Sequence, residues 1–207
     1  MIKNVLVVLF LLTGFALQAQ IIYVDVQATG NNDGTSWADA FTDLQDGLDA
    51  ISPTAMQIWV AQGTYLPSQD NPASSNTTSR DFTFYMATNG TKLYGGFNGT
   101  ETTLAQRDIA AFPTILSGDI GIPNENSDNV FHVVYINGGT ANGNITNATV
   151  LDGFTIQAGN ADAAATSVNN RGDGIFADGN GGSNVCNPRV ANCSFVNNGA
   201  ASQHSRA

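Results

Sequence analysis

Carboxylate side chains gather in the last third of the chain, beside one arginine. The carboxylates are Asp152, Asp162, Asp173 and Asp178, and the candidates for catalysis are Asp152, Asp173, Asp178 and Arg171. A carboxylate cluster is a ligand set that Ca²⁺ prefers, and an arginine beside it would act as the base of an elimination reaction. Two carboxylates at a controlled separation would instead hydrolyse a glycosidic bond. The alternative is that these are solvated carboxylates at strand ends, which the lack of an Asp-Asp pair and of a Gly-His-Gly segment favours.

A second candidate site is the run Asn-Asn-Asp-Gly at 31–34. The side-chain oxygens of Asn31 and Asp33 are candidate ligands for a hard cation such as Ca²⁺. The same residue types tolerate left-handed backbone conformations and are common in plain turns. A turn is therefore the alternative, and no other cofactor is predicted.

The two cysteines, Cys186 and Cys193, lie seven residues apart. In an oxidising compartment they would form one local disulfide, and otherwise they are two small thiols packed in adjacent turns. Two cysteines without a histidine beside them do not make a zinc site. His132 lies in an apolar run at 130–136 and is predicted to be an ordinary strand residue.

The composition is acidic but poor in charge overall. The chain has 207 residues, a formal net charge of −10 and 12% charged residues. Nucleic acids and anionic membranes bind clusters of lysine and arginine, whereas the basic residues here are few and scattered. The sequence therefore argues against nucleic acid as a partner and suits an exported protein with a mainly uncharged polar surface.

The first 19 residues have the pattern of a secretory signal peptide. Lys3 precedes an unbroken apolar run from Val5 to Leu12, and small residues follow up to Ala19. This run is short for a membrane span, so cleavage after Ala19 is predicted rather than a membrane anchor. We expect a secreted or cell-surface protein that is not inserted in the membrane once the leader is removed.

One amphipathic helix and a series of short strands follow the leader. Ser36 occupies an N-cap position, and apolar residues recur at intervals of three and four as far as Ile51, which predicts a helix over 36–51. The predicted strands are 21–26, 57–61, 64–66, 82–86, 92–94, 114–116, 130–136, 148–151, 154–156, 174–177 and 189–196. They are separated by Gly, Asn and Asp, as the corners of a coiled sheet require.

Three segments resemble one another: 114–119, 149–154 and 189–195. Each is a β-rich run that breaks at Gly or Asn, and the first two begin 35 residues apart. Such spacing is typical of a solenoid, in which each coil buries its apolar face against its neighbours. A β-sandwich is the alternative all-β architecture.

Motifs along nearly all of the mature chain carry a family resemblance. They are Tyr-Val-Asp at 23–25, Gly-Thr-Ser-Trp at 34–37, the run 58–65, Leu-Tyr-Gly-Gly-Phe at 93–97, Gln-Arg-Asp at 106–108, Leu-Ser-Gly-Asp-Ile at 116–120, Leu-Asp-Gly-Phe-Thr-Ile at 151–156 and Asn-Cys-Ser-Phe at 192–195. With them the chain resembles bacterial right-handed parallel β-helix repeat proteins of the pectin-lyase-like superfamily. The segments 172–175 and 195–198 are also similar to the short repeats of polymorphic outer-membrane proteins.

The resemblance implies an all-β fold, a right-handed parallel β-helix (solenoid) with an N-terminal capping helix. The predicted organisation is a signal peptide at 1–19 and a β-helix domain at 20–207. Within that domain we expect a cap at about 21–55, coils at about 56–199 and an unfinished tail at 200–207. The tail neither caps nor continues a coil, so the chain is expected to be a C-terminally truncated fragment of a parent with further coils.

The favoured function is a non-catalytic scaffold, secreted or on the cell surface, for adhesion or for contact with an extracellular glycan or a surface protein. Its specificity is expected in the two longest insertions, 69–80 and 162–171. The aromatic candidates for stacking on sugars, or alternatively for packing against the coil, are Tyr23, Trp59, Tyr65, Tyr85 and Tyr94. A polysaccharide lyase or glycoside hydrolase of the same fold, and an inactive fragment, are the alternative functions.

Overall fold

The structure is a computed structural model of the chain. It describes residues 20–53, 56–72, 78–139, 143–164, 168–179 and 184–199. The predicted signal peptide at 1–19 and the predicted tail at 200–207 lie outside the described residues. Within the described ranges, no helix is long and apolar enough to cross a membrane.

The described part of the chain is mostly β, with one α-helix. In chain order the strands are β1 (Ile21–Val24), β2 (Gln57–Ala61), β3 (Gly63–Tyr65), β4 (Phe84–Met86), β5 (Lys92–Phe97), β6 (Thr114–Ser117), β7 (Val134–Asn137), β8 (Val150–Asp152), β9 (Phe154–Gln157), β10 (Ile175–Asp178), β11 (Arg189–Ala191) and β12 (Ser194–Val196). The helix, α1, is Leu44–Asp49. Short 3₁₀ turns lie at Ser79–Asp81, Leu104–Gln106, Asn126–Asp128 and Val168–Asn170.

The strands form three parallel sheets. Sheet A has the order β1-β2-β5-β8-β11, sheet B the order β3-β6-β9-β12 and sheet C the order β4-β7-β10. From β2 onward the chain visits sheets A, B and C in turn and then begins again. Each time the chain returns to a sheet, it adds a strand beside the previous strand of that sheet. These neighbours are parallel, and parallel neighbours need a long connection rather than a tight turn.

Side chains that lie in register between strands form apolar columns. In sheet A, Ile58 lies beside Leu93, which lies beside Leu151. In sheet B, Leu116 lies beside Ile156. All five side chains are fully buried. Burial of a leucine or isoleucine contributes about 1.5–3 kcal/mol, so each side chain in these columns contributes to the stability of the described core.

The columns end at partly exposed side chains. Val190 on β11 continues the column of Leu151, and Phe195 on β12 continues that of Ile156. These last two side chains are 41% and 52% exposed, because β11 and β12 are the edge strands of their sheets. The described core therefore has an apolar rim on this side.

The predicted helix over 36–51 is wrong in its first half. Helix α1 begins at Leu44, after the N-cap Asp43. Ahead of it the chain lies along β1 instead, where the backbone N–H of Phe41 donates to the carbonyl of Tyr23 at 3.0 Å. The regular spacing of apolar residues thus has two sources, an edge segment bonded to β1 and a helix of six residues.

The predicted equivalence of 114–119 with 149–154 is also wrong. Strand β6 belongs to sheet B and pairs with β9, so that Leu116 lies beside Ile156. Strand β8 belongs to sheet A, although the similarity between segments 114–119 and 149–154 had aligned it with β6. Short apolar runs that break at glycine occur in both sheets, and this similarity misaligned the segments.

The second predicted equivalence, of 149–154 with 189–195, is correct. Strands β8 and β11 pair in sheet A, and each is followed by a corner residue with a positive φ: +91° at Gly153 and +49° at Asn192. A Cβ atom on Gly153 would lie 2.9 Å from the carbonyl oxygen of Gly95. The glycine at this corner is therefore required by both the backbone conformation and the close approach of β5.

Truncation of the core columns gives a test of this packing. We expect Leu151→Ala to lower the free energy of unfolding by about 2–5 kcal/mol, because it removes buried methyl groups and leaves a cavity. Leu66→Ala is the matched control, since Leu66 is 47% exposed, and its effect should stay within about 0.5 kcal/mol. Urea denaturation followed by circular dichroism measures both; equal effects would contradict the assignment of Leu151 to the core.

Candidate functional site

The two insertions that were predicted to carry specificity meet at a salt bridge. Arg80, at the end of the first insertion, places Nη2 2.6 Å from Oδ1 of Asp162, at the start of the second. The two side chains are 22% and 28% exposed. The sequence analysis did not predict this pairing, because no pattern relates an arginine to a carboxylate 82 residues further on.

The Arg80 guanidinium also binds backbone carbonyls of two other segments. Its Nε donates to the carbonyl of Asn129 and its Nη2 to the carbonyl of Asn160, both at 2.7 Å. The guanidinium carbon lies 4.2 Å from the centroid of the Phe131 ring, a cation–π geometry. Arg80 therefore fixes the chain near residues 80, 130 and 160 relative to one another.

A buried histidine makes a second link between the same insertions. His132 is 3% exposed; its Nδ1 lies 3.2 Å from the carbonyl oxygen of Gly172, and its Nε2 lies 3.2 Å from Oδ1 of Asn169. Asn169 in turn donates to Asp81 at 3.1 Å. Burial lowers the pKa of His132, whereas its hydrogen bonds and the nearby Asp173 and Asp81 act in the opposite direction. His132 is thus a neutral structural link at physiological pH.

An open polar groove of about 440 Å³ adjoins the Arg80 junction. It lies between the loop that follows β6 and the corners that follow β9 and β12. Its lining residues are Asp119, Asn124, Asn126, Asn129, Gln157, Ala158, Asn197, Asn198 and Gly199. Side-chain amides both donate and accept hydrogen bonds, so the groove offers both functions to a ligand.

Hydrogen bonds hold the walls of the groove. Asn160 Nδ2 donates to the carbonyl of Asn126 at 2.8 Å. Asn198 Oδ1 accepts from the backbone N–H of Gly159 at 3.0 Å, and its Nδ2 donates to the carbonyl of Ile156 at 2.8 Å. The wall residues Asn126 and Asn198 are therefore anchored to the neighbouring chain segments.

Two of the asparagines that line the groove are exposed to solvent. Asn124 and Asn197 are exposed, and their φ angles are +66° and +51°. Asparagine tolerates this left-handed conformation better than most residues. The conformation at each position therefore favours Asn or Gly, and of the two only Asn adds a side-chain amide.

Of the predicted catalytic residues, Asp152 forms a buried ion pair. It ends β8 with 5% exposure, and its Oδ1 lies 3.0 Å from Nη2 of Arg107. Asn192 Nδ2 donates to the same oxygen at 2.8 Å. The Arg107 guanidinium carbon lies 5.3 Å from the centroid of the Tyr94 ring. Sequence reasoning missed Arg107 as a partner, although it had noted the Gln-Arg-Asp motif that contains it.

The other predicted catalytic residues lie elsewhere. Asp178 ends β10 in sheet C, where its Oδ2 accepts from the Tyr135 hydroxyl at 2.8 Å. Asp173 accepts from the backbone N–H of Ala161 at 2.9 Å, and Arg171 is exposed. Because Asp152 is in sheet A and Asp178 in sheet C, the structure does not gather the predicted carboxylates on one sheet.

The predicted metal ligands lie in a hydrogen-bonded turn. Asp33 Oδ1 accepts from the backbone N–H of Thr35 at 3.0 Å and from its hydroxyl at 2.6 Å, and these hydrogen bonds lower the pKa of Asp33. The backbone N–H of Asn31 donates to Asp39. Among the described residues, no group of three or more His, Cys, Asp or Glu side chains is arranged to hold a metal ion.

Both cysteines are free thiols in the structure. Cys186 Sγ donates to the carbonyl of Ile136 at 3.3 Å, and Cys193 Sγ donates to the carbonyl of Ala191 at 3.2 Å. Burial raises the pKa of both thiols, which keeps them protonated and unreactive. Of the two alternatives that the sequence left open, the structure has the packed thiols.

The aromatic candidates for sugar stacking divide into two groups. Trp59 and Tyr65 are 3% exposed, and the Trp59 ring stacks on Phe97 with centroids 4.8 Å apart. Packing is therefore the role of these two. The half-buried members of the set are Tyr23, Tyr85 and Tyr94.

Comparison of the chain with protein-family models, with curated proteins and with solved structures finds no match.

The Arg80 junction predicts unequal effects from its two charged partners. Asp162→Asn should cost about 1 kcal/mol or less, since it removes one partly exposed ion pair. Arg80→Ala should cost at least about 2 kcal/mol, because it also leaves the carbonyl of Asn129 without a donor and removes one of the two donors to the carbonyl of Asn160. Urea denaturation of both variants measures the difference, and equal losses would contradict the bridging role of the guanidinium.

His132 predicts that stability falls in mild acid. Its pKa is lowered in the folded state, so on acidification the unfolded chain takes up the proton first. The free energy of unfolding should therefore fall as the pH drops below about 6.5, by at most about 1.4 kcal/mol per pH unit from this group. His132→Gln should have a shallower slope between pH 7 and pH 5 in denaturation experiments. Identical slopes would show that His132 is not responsible.

Proposed function

We propose that the protein is an exported, non-catalytic scaffold that contacts extracellular glycans through the polar groove. The observation that carries the proposal is the composition of the groove, which is lined mainly by amide and carboxylate side chains at the corners of three strands. Sugar hydroxyls both donate and accept hydrogen bonds, and side-chain amides meet both needs. The net charge of −10 on the whole chain also favours neutral sugars over uronic acids, because like charges repel.

We infer that the three sheets are the faces of a right-handed parallel β-helix. The cyclic order in which the chain visits sheets A, B and C supports this architecture, as do the in-register apolar columns. The hand follows from the sequence resemblance and from the general preference for right-handed connections between parallel strands. Such a scaffold would hold its corner loops at fixed positions.

Anchored walls favour binding because little conformational entropy is lost when a ligand orders them. Arg80 holds the carbonyl of Asn129, and Asn160 holds that of Asn126, so this wall is tied to the second insertion. The insertions would thereby act on specificity through the position of the groove wall. Export to the cell surface or medium is supported by the predicted leader and by the low content of charged residues.

The double variant Asn124→Gly, Asn197→Gly tests the groove. Glycine keeps the left-handed conformation, so only the side-chain amides are lost. Retention of the purified chain on a panel of immobilised neutral and uronic-acid polysaccharides should fall at least fivefold, since two hydrogen bonds contribute about 1–3 kcal/mol together. Asn192→Gly is the matched control, at a left-handed corner of sheet A outside the groove. It removes the hydrogen bond to Asp152, and retention of the folded variant should be unchanged.

Two outcomes would contradict the proposal. Equal retention of the double variant and the control would place glycan contact elsewhere, and no retention of the folded wild type on any polysaccharide would remove glycans as partners. Mass spectrometry of the same incubations tests for chain cleavage. Cleavage that is lost in Asp173→Asn would instead identify a polysaccharide lyase or hydrolase.

A further inference from the structure

Three buried side-chain oxygens in one loop have no hydrogen-bond donor. They are Oδ1 of Asp119, Oδ1 of Asp128 and Oδ1 of Asn129. In the described part of the chain, the one other buried side-chain N or O atom without a partner is Nε1 of Trp59, a donor in a different region. A buried polar atom left without a partner costs about as much as a lost hydrogen bond, and a charged one more. Three such acceptors within eleven residues therefore require an explanation.

The backbone brings the two ends of this loop together. The loop follows β6, and the backbone N–H of Val130 donates to the carbonyl of Gly118 at 3.0 Å. This hydrogen bond sets Asp119 and Asn129 at the neck of the loop, one residue inward on each side. Both residues line the polar groove.

Each carboxylate uses one oxygen to hold the loop and leaves the other free. Asp119 Oδ2 accepts from the backbone N–H of Asn124 at 3.0 Å. Asp128 Oδ2 accepts from the backbone N–H of Ile122 at 2.7 Å. The carboxylates are thus fixed in orientation by the loop itself, while their Oδ1 atoms are buried and have no donor.

Asn129 supplies the independent observation. Its side chain is 2% exposed, it lines the groove, and its Oδ1 has no donor. Nδ2 of the same amide lies 3.5 Å from Oδ1 of Asn126, at the long limit of a hydrogen bond. A buried amide oxygen is normally hydrogen-bonded, so a donor or a cation is expected beside this atom.

We propose that this loop binds a divalent cation, Ca²⁺, through Oδ1 of Asp119, Asp128 and Asn129. Two carboxylates and one amide carbonyl form a hard oxygen donor set, and Ca²⁺ takes six to eight oxygens in flexible geometry. Backbone carbonyls and water would supply the remaining ligands. Mg²⁺ demands a stricter octahedral arrangement, which an irregular loop with ligands at its two ends satisfies less well.

The local charge agrees with a cation. The loop from Asp119 to Asn129 contains Asp119, Glu125 and Asp128 and no lysine or arginine. The adjacent Arg80 is neutralised by Asp162 and bonds to the backbone carbonyl of Asn129, not to its amide oxygen. A bound Ca²⁺ would offset the repulsion between the carboxylates and would close the neck of the loop. The proposal does not rest on glycan binding, since the ion is held by the protein alone.

Calorimetric titration of CaCl₂ into the purified, EDTA-treated mature chain tests the site without any glycan. We expect saturable binding of one ion, with a Kd of roughly 10⁻⁴–10⁻³ M as in extracellular modules, and a melting temperature that rises with Ca²⁺. Asp119→Asn should weaken binding at least tenfold. Glu125→Gln is the matched control: it removes the same charge from the same loop, but its side chain is exposed, so its Kd should stay within twofold.

Circular dichroism shows whether Asp119→Asn folds. If it does not, Asp128→Asn is the deciding variant, and it should also weaken Ca²⁺ binding at least tenfold. Absence of Ca²⁺ binding by the folded wild type at 10-fold the upper expected Kd would overturn the proposal and leave ordered water as the donor to these oxygens. Equal weakening by Glu125→Gln would overturn it as well, since that result indicates diffuse attraction by the acidic loop. Tighter binding of Mg²⁺ than of Ca²⁺ would overturn the choice of ion.

Discussion

The register between parallel strands is the constraint on which the rest of this molecule depends. A side chain that points inward lies beside its counterpart one return earlier, as Leu93 lies beside Ile58 and Leu151 beside Leu93. A polar residue at any such position would face apolar neighbours on both sides without a partner. Strands of three to six residues are long enough to keep these columns dry, and the connecting corners carry most of the polar groups.

The corners between strands lie outside the hydrogen-bonded ladders of the sheets. Side chains must therefore supply hydrogen-bond partners for many of the backbone N–H and C=O groups at the corners. Asparagine, aspartate and threonine do this within a loop or between neighbouring returns: Asp128 accepts from the N–H of Ile122, and Asn198 bonds to the carbonyl of Ile156. This explains a polar surface with few charges. Arg80 and Arg107 are used differently, since each binds one carboxylate and two backbone carbonyls and so joins segments far apart in sequence.

The sequence predicted most strands, because short apolar runs that break at Gly or Asn are local patterns. It predicted the parallel, mostly β architecture from the repeat spacing and the family resemblance. It misplaced the start of α1 and wrongly aligned β6 with β8. Both errors concern which strand an apolar residue packs against, which a local pattern does not specify. Neither the Arg80 junction nor the groove was predicted. Local sequence patterns do not reveal that an arginine pairs with a carboxylate 82 residues away. Nor do they reveal a buried acceptor without a donor, such as the Asn129 amide oxygen.

The unequal lengths of the returns have a consequence for how the chain tolerates change. Ile58 and Leu93 are 35 residues apart, whereas Leu93 and Leu151, neighbours in the same column, are 58 apart. The entropy of closing a flexible connection grows only with the logarithm of its length, so this extension costs about 0.5 kcal/mol. A single favourable hydrogen bond offsets that amount. New loops can therefore accumulate at the corners by small genetic insertions, while the columns inside keep their spacing.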